Sequence, residues 1–251
     1  MRVVKLFLMM TMILVLNSAY SQVFLDTETG GVWTGYNDVR IPSKGGTMIS
    51  LKDDLTPDTE PFIRLRGGYT FLDKHTVSML YAPLTVEGEG TLKKDVKYQK
   101  ETFSKGEKVK SEYTFNSYRL TYRYMIVNND SFLFGLGLTA KIRDAEIKLT
   151  SGSKSASTKS ANKTNIGFVP IVNFYAEYKL PANISVVAEG DALAAPQGRA
   201  EDIFAGLHYK INDNFKIKAG YRMLEGGSEG GGDVYTFSMF NYAAVGVIAS
   251  Y

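Results

Sequence analysis

Residues 118–130 read YRLTYRYMIVNND, and a period of two governs them. Tyr118, Leu120, Tyr122, Tyr124 and Ile126 alternate with Arg119, Thr121 and Arg123, and the run stops at Asn128-Asn129-Asp130. A strand sends successive side chains to opposite faces, so one face here is aromatic and aliphatic while the other carries guanidinium groups. A soluble sheet would turn the apolar face inward. A membrane barrel would turn it to lipid.

The rest of the chain repeats this alternation. Ten such segments span 24–37, 61–72, 75–87, 112–127, 131–148, 165–180, 183–194, 202–211, 214–225 and 234–251. Four connections are tight and rich in turn-forming residues, at 72–74, 128–130, 181–183 and 212–214. The other five, 38–60, 88–111, 149–164, 195–201 and 226–233, are longer and polar, and the two kinds alternate along the chain. That asymmetry predicts an all-β, ten-stranded antiparallel transmembrane barrel with short periplasmic turns and long extracellular loops, with eight strands as the alternative count. A soluble sandwich or a secreted lipocalin-like barrel has no reason to segregate its loops this way.

The faces agree with the membrane reading. Phe215, Ile217, Ala219, Tyr221 and Met223 oppose Lys216, Lys218, Gly220 and Arg222, and Phe168, Val172, Phe174 and Tyr178 oppose Asn173, Tyr175 and Glu177. A basic group costs roughly 2–4 kcal/mol at the lipid-facing midplane of a barrel, so the charged face belongs inside. Parity therefore assigns Arg64, Arg66, Arg119, Arg123, Lys141, Arg143, Lys210, Lys216, Lys218 and Arg222 to the lumen. Asp26, Glu28, Glu177, Glu189 and Asp191 are their counter-charges, and His208 lies on the same face as a hydrogen-bonding group. Aromatic residues at the segment ends, among them Tyr69, Phe71, Tyr122, Tyr124, Tyr178, Tyr209 and Phe215 beside the short turns, read as an interfacial girdle.

At the N-terminus, Arg2 and Lys5 precede the apolar run Leu6–Leu16 and the small residues Ala19 and Ser21. This predicts a secretory signal peptide over 1–21 and a barrel domain over 22–251. Nothing later has the length of an apolar membrane-spanning helix. With no cysteine, the chain has no disulfide, thiolate metal site or cysteine nucleophile. The balance of 29 basic against 26 acidic residues argues against a nucleic-acid partner.

The terminal stretch NYAAVGVIASY ends on an aromatic residue, with Gly246 five places before it and Val247 and Ala249 in step. It resembles the C-terminal signal by which outer-membrane barrels are recognised for assembly, with Ala244 where a polar residue is usual. With the signal peptide and the ten segments, the whole exported chain resembles the small outer-membrane β-barrel proteins of Gram-negative bacteria, opacity-type and outer-membrane-protein-A-like barrels included. The resemblance implies the outer membrane as location. It also implies outer-membrane lipid, lipopolysaccharide and the barrel-assembly machinery as partners.

Chemistry is sparse. His75 and His208 both fall beside short turns, away from the outer rim where a barrel enzyme acting on lipid A or surface peptides would work, so no catalytic residue is assigned. No dinucleotide, phosphate-loop or zinc spacing occurs, and neither cofactor nor metal is expected. The lysines of 93–110, KKDVKYQKETFSKGEKVK, could meet lipopolysaccharide phosphates or belong to a solvated loop. The leading expectation is a non-enzymatic barrel with an envelope-structural or surface-interaction role and a lumen largely filled by charged side chains, its loops free to contact an extracellular ligand. The alternative is a porin-like, narrow, anion-leaning channel for small solutes using Arg64, Arg66, Arg119, Arg123, Arg143, Lys216, Lys218 and Arg222. A lipid A-modifying enzyme is the less favoured third class.

Overall fold

The structure is a computed structural model that describes residues 21–151, 158–196, 198–229 and 231–251. The expected signal peptide, apart from Ser21, lies outside the described residues, as does most of the serine-rich part of the 149–164 connection.

Among the described residues the regular elements are all strands: β1 (Ser21–Arg40), β2 (Ile49–Ser50), β3 (Glu60–Phe71), β4 (His75–Ala82), β5 (Thr85–Thr91), β6 (Val96–Tyr98), β7 (Glu101–Phe103), β8 (Lys108–Asn128), β9 (Phe132–Ser151), β10 (Ser160–Lys179), β11 (Ile184–Ala195), β12 (Gly198–Lys210), β13 (Phe215–Glu229) and β14 (Tyr235–Ser250). Each long strand pairs antiparallel with its neighbours, and β14 returns to pair with β1 from Phe24–Ser250 to Arg40–Tyr235. The barrel is closed, with ten staves. One stave is interrupted: β4 and β5 both lie on β8 but are separated at Pro83-Leu84, where the expected strand 75–87 ran unbroken.

The tight turns follow their residues. Leu72-Asp73 and Ala182-Asn183 hold both residues at positive φ, the geometry that matches strand twist in a short hairpin. At the other two, side-chain carbonyls make the turn: Asn129 Oδ1 accepts from the Ser131 and Phe132 amides at 3.0 and 2.8 Å. Asn212 Oδ1 accepts from the Asn214 and Phe215 amides at 2.9 Å each.

On the other side β1, β8, β9, β10, β12 and β13 run three to five residues beyond the expected ends. A stave of 20 residues such as β9 stands about 50 Å tall at barrel tilt, twice the roughly 25 Å apolar band of an outer-membrane barrel. The residues show where lipid ends. Outward side chains of β9 change from Leu136, Leu138, Ala140 and Ile142 to Asp144, Glu146 and Lys148. Its inward ones change in the opposite sense, from Thr139, Lys141 and Arg143 to Ala145, Ile147 and Leu149. β8 does the same, with Tyr118 giving way to Asn116 and Glu112 outside while Arg119 gives way to Phe115 and Tyr113 inside. The lower half is thus apolar outside and charged inside, and the upper half has the ordinary polarity of a water-soluble barrel.

The upper half holds an apolar core. Val39, Ile41, Ile49, Leu51, Leu55, Leu92, Val96, Tyr98, Phe103, Val109 and Leu149 are all buried there. The segment 41–55 and the β6–β7 hairpin fold over the mouth: the Thr47 amide donates to the Lys97 carbonyl, the Gln99 amide to Ile41, and the Tyr98 hydroxyl to Ile147 at 2.7 Å. Burial there raises the Tyr98 pKa above that of an ordinary phenol. The connections 38–60 and 88–111, read from sequence as polar loops, therefore supply a lid with its own strands. Isolated apolar residues spaced among lysines gave no period from which to read it.

Candidate functional site

The lower lumen is crossed by a layer of ion pairs built from six staves. β1 supplies Asp26 and Glu28, β3 Arg64 and Arg66, β8 Arg119, β11 Glu189 and Asp191, β12 Asp202, and β13 Lys218 and Arg222. Arg222 grips Glu28 through Nε and Nη2 at 2.6 and 2.8 Å and reaches Asp202 through Nη1 at 2.6 Å. Arg119 donates to Asp191 at 2.6 Å and to Asp202 at 2.5 Å, and Arg64 donates to Asp202 at 2.9 Å. Arg66 makes a two-pronged contact with Glu189 at 2.8 and 2.6 Å, with Asp26 at 3.1 Å. Lys218 sits between Asp26 and Glu28 at 2.6 and 2.9 Å. Planar guanidinium forks matched to carboxylates give such pairs their geometric definition.

Neutral groups complete the layer. Thr139 and Asn173 both donate to Asp191 Oδ1, at 2.6 and 2.9 Å. Phe204 lies against both Lys218 and Arg222, 5.4 and 5.3 Å from ring centre to cation. Its ring needs the facing pair Gly206 and Gly220, where an added Cβ would lie 2.7 and 2.8 Å from Phe204 Cζ.

Parity sorted the faces, but the positions within the lumen differ. Arg64, Arg66, Arg119, Lys218, Arg222, Glu189 and Asp191 come together in the layer just described. Arg123 joins no carboxylate among the described residues; its guanidinium stacks on Tyr175 at 4.4 Å from the ring centre, and Tyr175 in turn donates to Glu177. Lys216 stands at the periplasmic rim, 3.9 Å from Glu177 and over a third exposed. Lys210 leaves the lumen for Asp213 in the turn at 2.7 Å, and this hydrogen bond holds the Asp213 carboxyl below its ordinary pKa. His208 is buried, but neither ring nitrogen has a hydrogen-bond partner among the described residues. The expected hydrogen-bonding role is not met because the nearby carboxylates are already taken, Glu177 by Tyr175 and Glu189 by Arg66. Arg143 and Lys141 face inward as parity assigned them, but lie above the layer.

One residue was missed. Asp202 touches Arg64, Arg119 and Arg222 and is the hub of the layer, yet it stood at the edge of the predicted segment 202–211. The signal was present, since Asp202 shares the parity of Phe204 and His208. Counting it narrows the expected basic excess. Among the described residues no group of His, Asp and Glu has metal-holding geometry.

No family model matches the chain, and no curated protein matches its sequence. Solved structures do match. The outer membrane protease OmpT of Escherichia coli aligns with a TM-score of 0.52 at 9% identity, over 92% of this chain and 97% of that one. The transport unit of the Escherichia coli autotransporter AIDA-I aligns at 8% identity with a TM-score of 0.46, over 92% and 90% of the two chains. The attachment invasion locus protein Ail of Yersinia pestis aligns at 13% identity with a TM-score of 0.36, over 91% and 98%. At such identities the likeness is one of fold. The fold, shared with OmpT, is that of an outer-membrane β-barrel, and the apolar outer belt of this chain is one that lipid accommodates.

Proposed function

We propose that the protein is a non-enzymatic barrel that acts at the cell surface through its protruding outer wall and loops, and adds to envelope structure, without conducting solutes. One observation carries this reading. The ion-pair layer leaves a void of only about 30 Å3 between Arg64, Arg66, Arg119, Arg123 and Arg222, room for one or two waters. Charges that satisfy one another across a lumen form a plug, because an ion passing through would have to displace a paired one.

The outer half fits contact work. Its wall is held by an apolar core, so the surface it offers is fixed in shape, and Lys93, Lys94, Lys97, Lys100 and Lys105 are exposed along the lid. As compact ammonium charges they suit the phosphates of lipopolysaccharide or of an extracellular ligand. The non-enzymatic part of the reading is supported by the two histidines. His75 faces lipid, with Nδ1 2.8 Å from the Tyr122 hydroxyl, and His208 lies near the periplasmic end, far from the lid.

Planar-bilayer recording tests the proposal. The purified barrel is expected to give no steady unitary current. A steady anion-selective current would overturn the plugged reading in favour of the channel. Mass analysis of lipid A from cells with and without the protein is expected to show one pattern, and a changed acyl or phosphate content would sink the non-enzymatic reading.

A further inference from the structure

Among the described residues, the upper part of one strand edge in the closed barrel has no partner. β10 pairs with β9 from Ser160 to Tyr178 but with β11 only from Val172 to Lys179. Above Val172 no described strand lies on that edge, because the β11–β12 hairpin turns back at 195–198. The Ser151 amide donates to the Lys159 carbonyl, which sets the phase of the ladder: odd residues of β10 bond to β9 and even ones face the gap. Pro170, with no N–H to offer, is the first even residue past the β11 ladder, the place on a strand edge where proline fits. Next come Phe168, opposite Ile142 at the lipid limit, and Ile166, just above it opposite Asp144; they are 68% and 74% exposed. The gap therefore begins within the outer leaflet. The hairpin tip below it, Ala192-Leu193-Ala194-Ala195-Pro196, carries no charge. Backbone groups without ladder partners are tolerated at that depth only where they line protein or a cavity.

A cavity of about 300 Å3 lies behind the gap. Inward residues such as Lys141, Phe115 and Val169 line it together with the outward-facing Arg199 and Glu225, so the space passes through the wall. Asn165 has inward parity yet is exposed, as expected beside an opening. Two cations look into the cavity, Lys141 buried and Arg143 half-buried. Lys141 is 3% exposed, has no carboxylate within ion-pair distance among the described residues, and holds its Nζ 4.9 Å from the Phe115 ring centre. Among the described residues Arg143 donates to Asn165 Oδ1 alone, and its buried Nε has no acceptor there. The layer below matches its arginines to carboxylates; this pair is left without one. A buried cation lacking a counter-charge is costly, and an anion completes it.

We propose that this cavity binds a medium-chain fatty acid, entering sideways from the outer leaflet, with its carboxylate on Arg143 beside Lys141 and its chain against Phe115, Val169 and Phe240. The two oxygens of a carboxylate match the fork of a guanidinium. The volume stands at the low end for ligand pockets, which favours one alkyl chain over the two or more of a membrane lipid.

The test uses the whole barrel in phosphatidylcholine nanodiscs, titrated with laurate carrying a carbon-13 carboxyl group, with dodecanol and dodecyl phosphate as comparators. Saturable laurate binding is expected, with none for dodecanol. In the double variant Lys141→Met/Arg143→Leu, affinity should fall at least about tenfold, the scale of a lost charge-assisted hydrogen bond. Neither cation holds a carboxylate, so the variant orphans no anion, and heat-modifiable gel migration checks that it folds. Val169→Trp keeps both cations but fills the cavity, and it should abolish binding on its own. Laurate affinity unchanged in both variants, or dodecyl phosphate bound in preference to laurate, overturns the proposal.

Discussion

Asp202 accepts from three arginines of three different staves, so its removal leaves three buried guanidinium groups short of a partner at once. Asp202→Asn should cost about 3–5 kcal/mol, the penalty of breaking a buried pair from one side, read as a lower urea midpoint in lipid vesicles. Gly220 makes a separate prediction. A side chain there would meet the Ala205 carbonyl at 2.4 Å and Gly206 Cα at 2.7 Å, so Gly220→Val should destabilise by about 1–3 kcal/mol through overpacking, measured the same way. Both residues show how far sequence reading reaches at this scale. Parity gave the inward face of each strand, but not who stands opposite across the lumen: Arg119 and Asp191 are 72 positions apart. Partners of that kind depend on stave order and stagger, which no single segment carries. His208 could not be read for the same reason, since its lack of a partner follows from bonds made by Tyr175 and Arg66 on other staves.

At the scale of the strand, the exchange of faces along β8 and β9 sets the outer limit of the lipid zone near Ile142 and Tyr118. Charge placement tests it. Leu138→Arg puts a cation on the lipid face and should cost about 2–4 kcal/mol. Glu146→Arg, two pleats above the limit on the same face, should stay within about 0.5 kcal/mol of the parent. Equal costs at the two positions would refute that limit. The short turns were legible because asparagine, aspartate and the left-handed backbone they tolerate leave a local mark. The upper ends of the strands were not. Where apolar residues move from the outer to the inner face, the period of two persists but its meaning reverses, so the expected segments, which ran past the crossover to 112 on β8 and 148 on β9, did not show that the faces had exchanged. Pro170 was likewise an unread sign, a residue that a strand paired on both edges does not place toward a partner.

Across the whole molecule, the short-turn end and the lidded end should face opposite compartments. A cysteine at Glu146 is expected to react with a membrane-impermeant maleimide on intact cells, and one at Asn129 only after the envelope is opened. Early labelling at Asn129 would reverse the orientation. The number of staves and both classes of connection are legible in the sequence, because each leaves a local pattern of alternation or turn chemistry. The lid over 41–55 and the gap beside β10 are not, since each arises from strands ending at unequal heights.

Strands that trade faces part-way up also give the barrel a waterline. A displacement of two residues along the staves, about 7 Å, would either immerse Asp144 and Asn116 in oil or lift Ile142 and Tyr118 into water. The chain therefore floats at one draught. Bilayers whose thickness does not suit that draught must deform to meet it, which inclines the protein toward membranes of matching thickness.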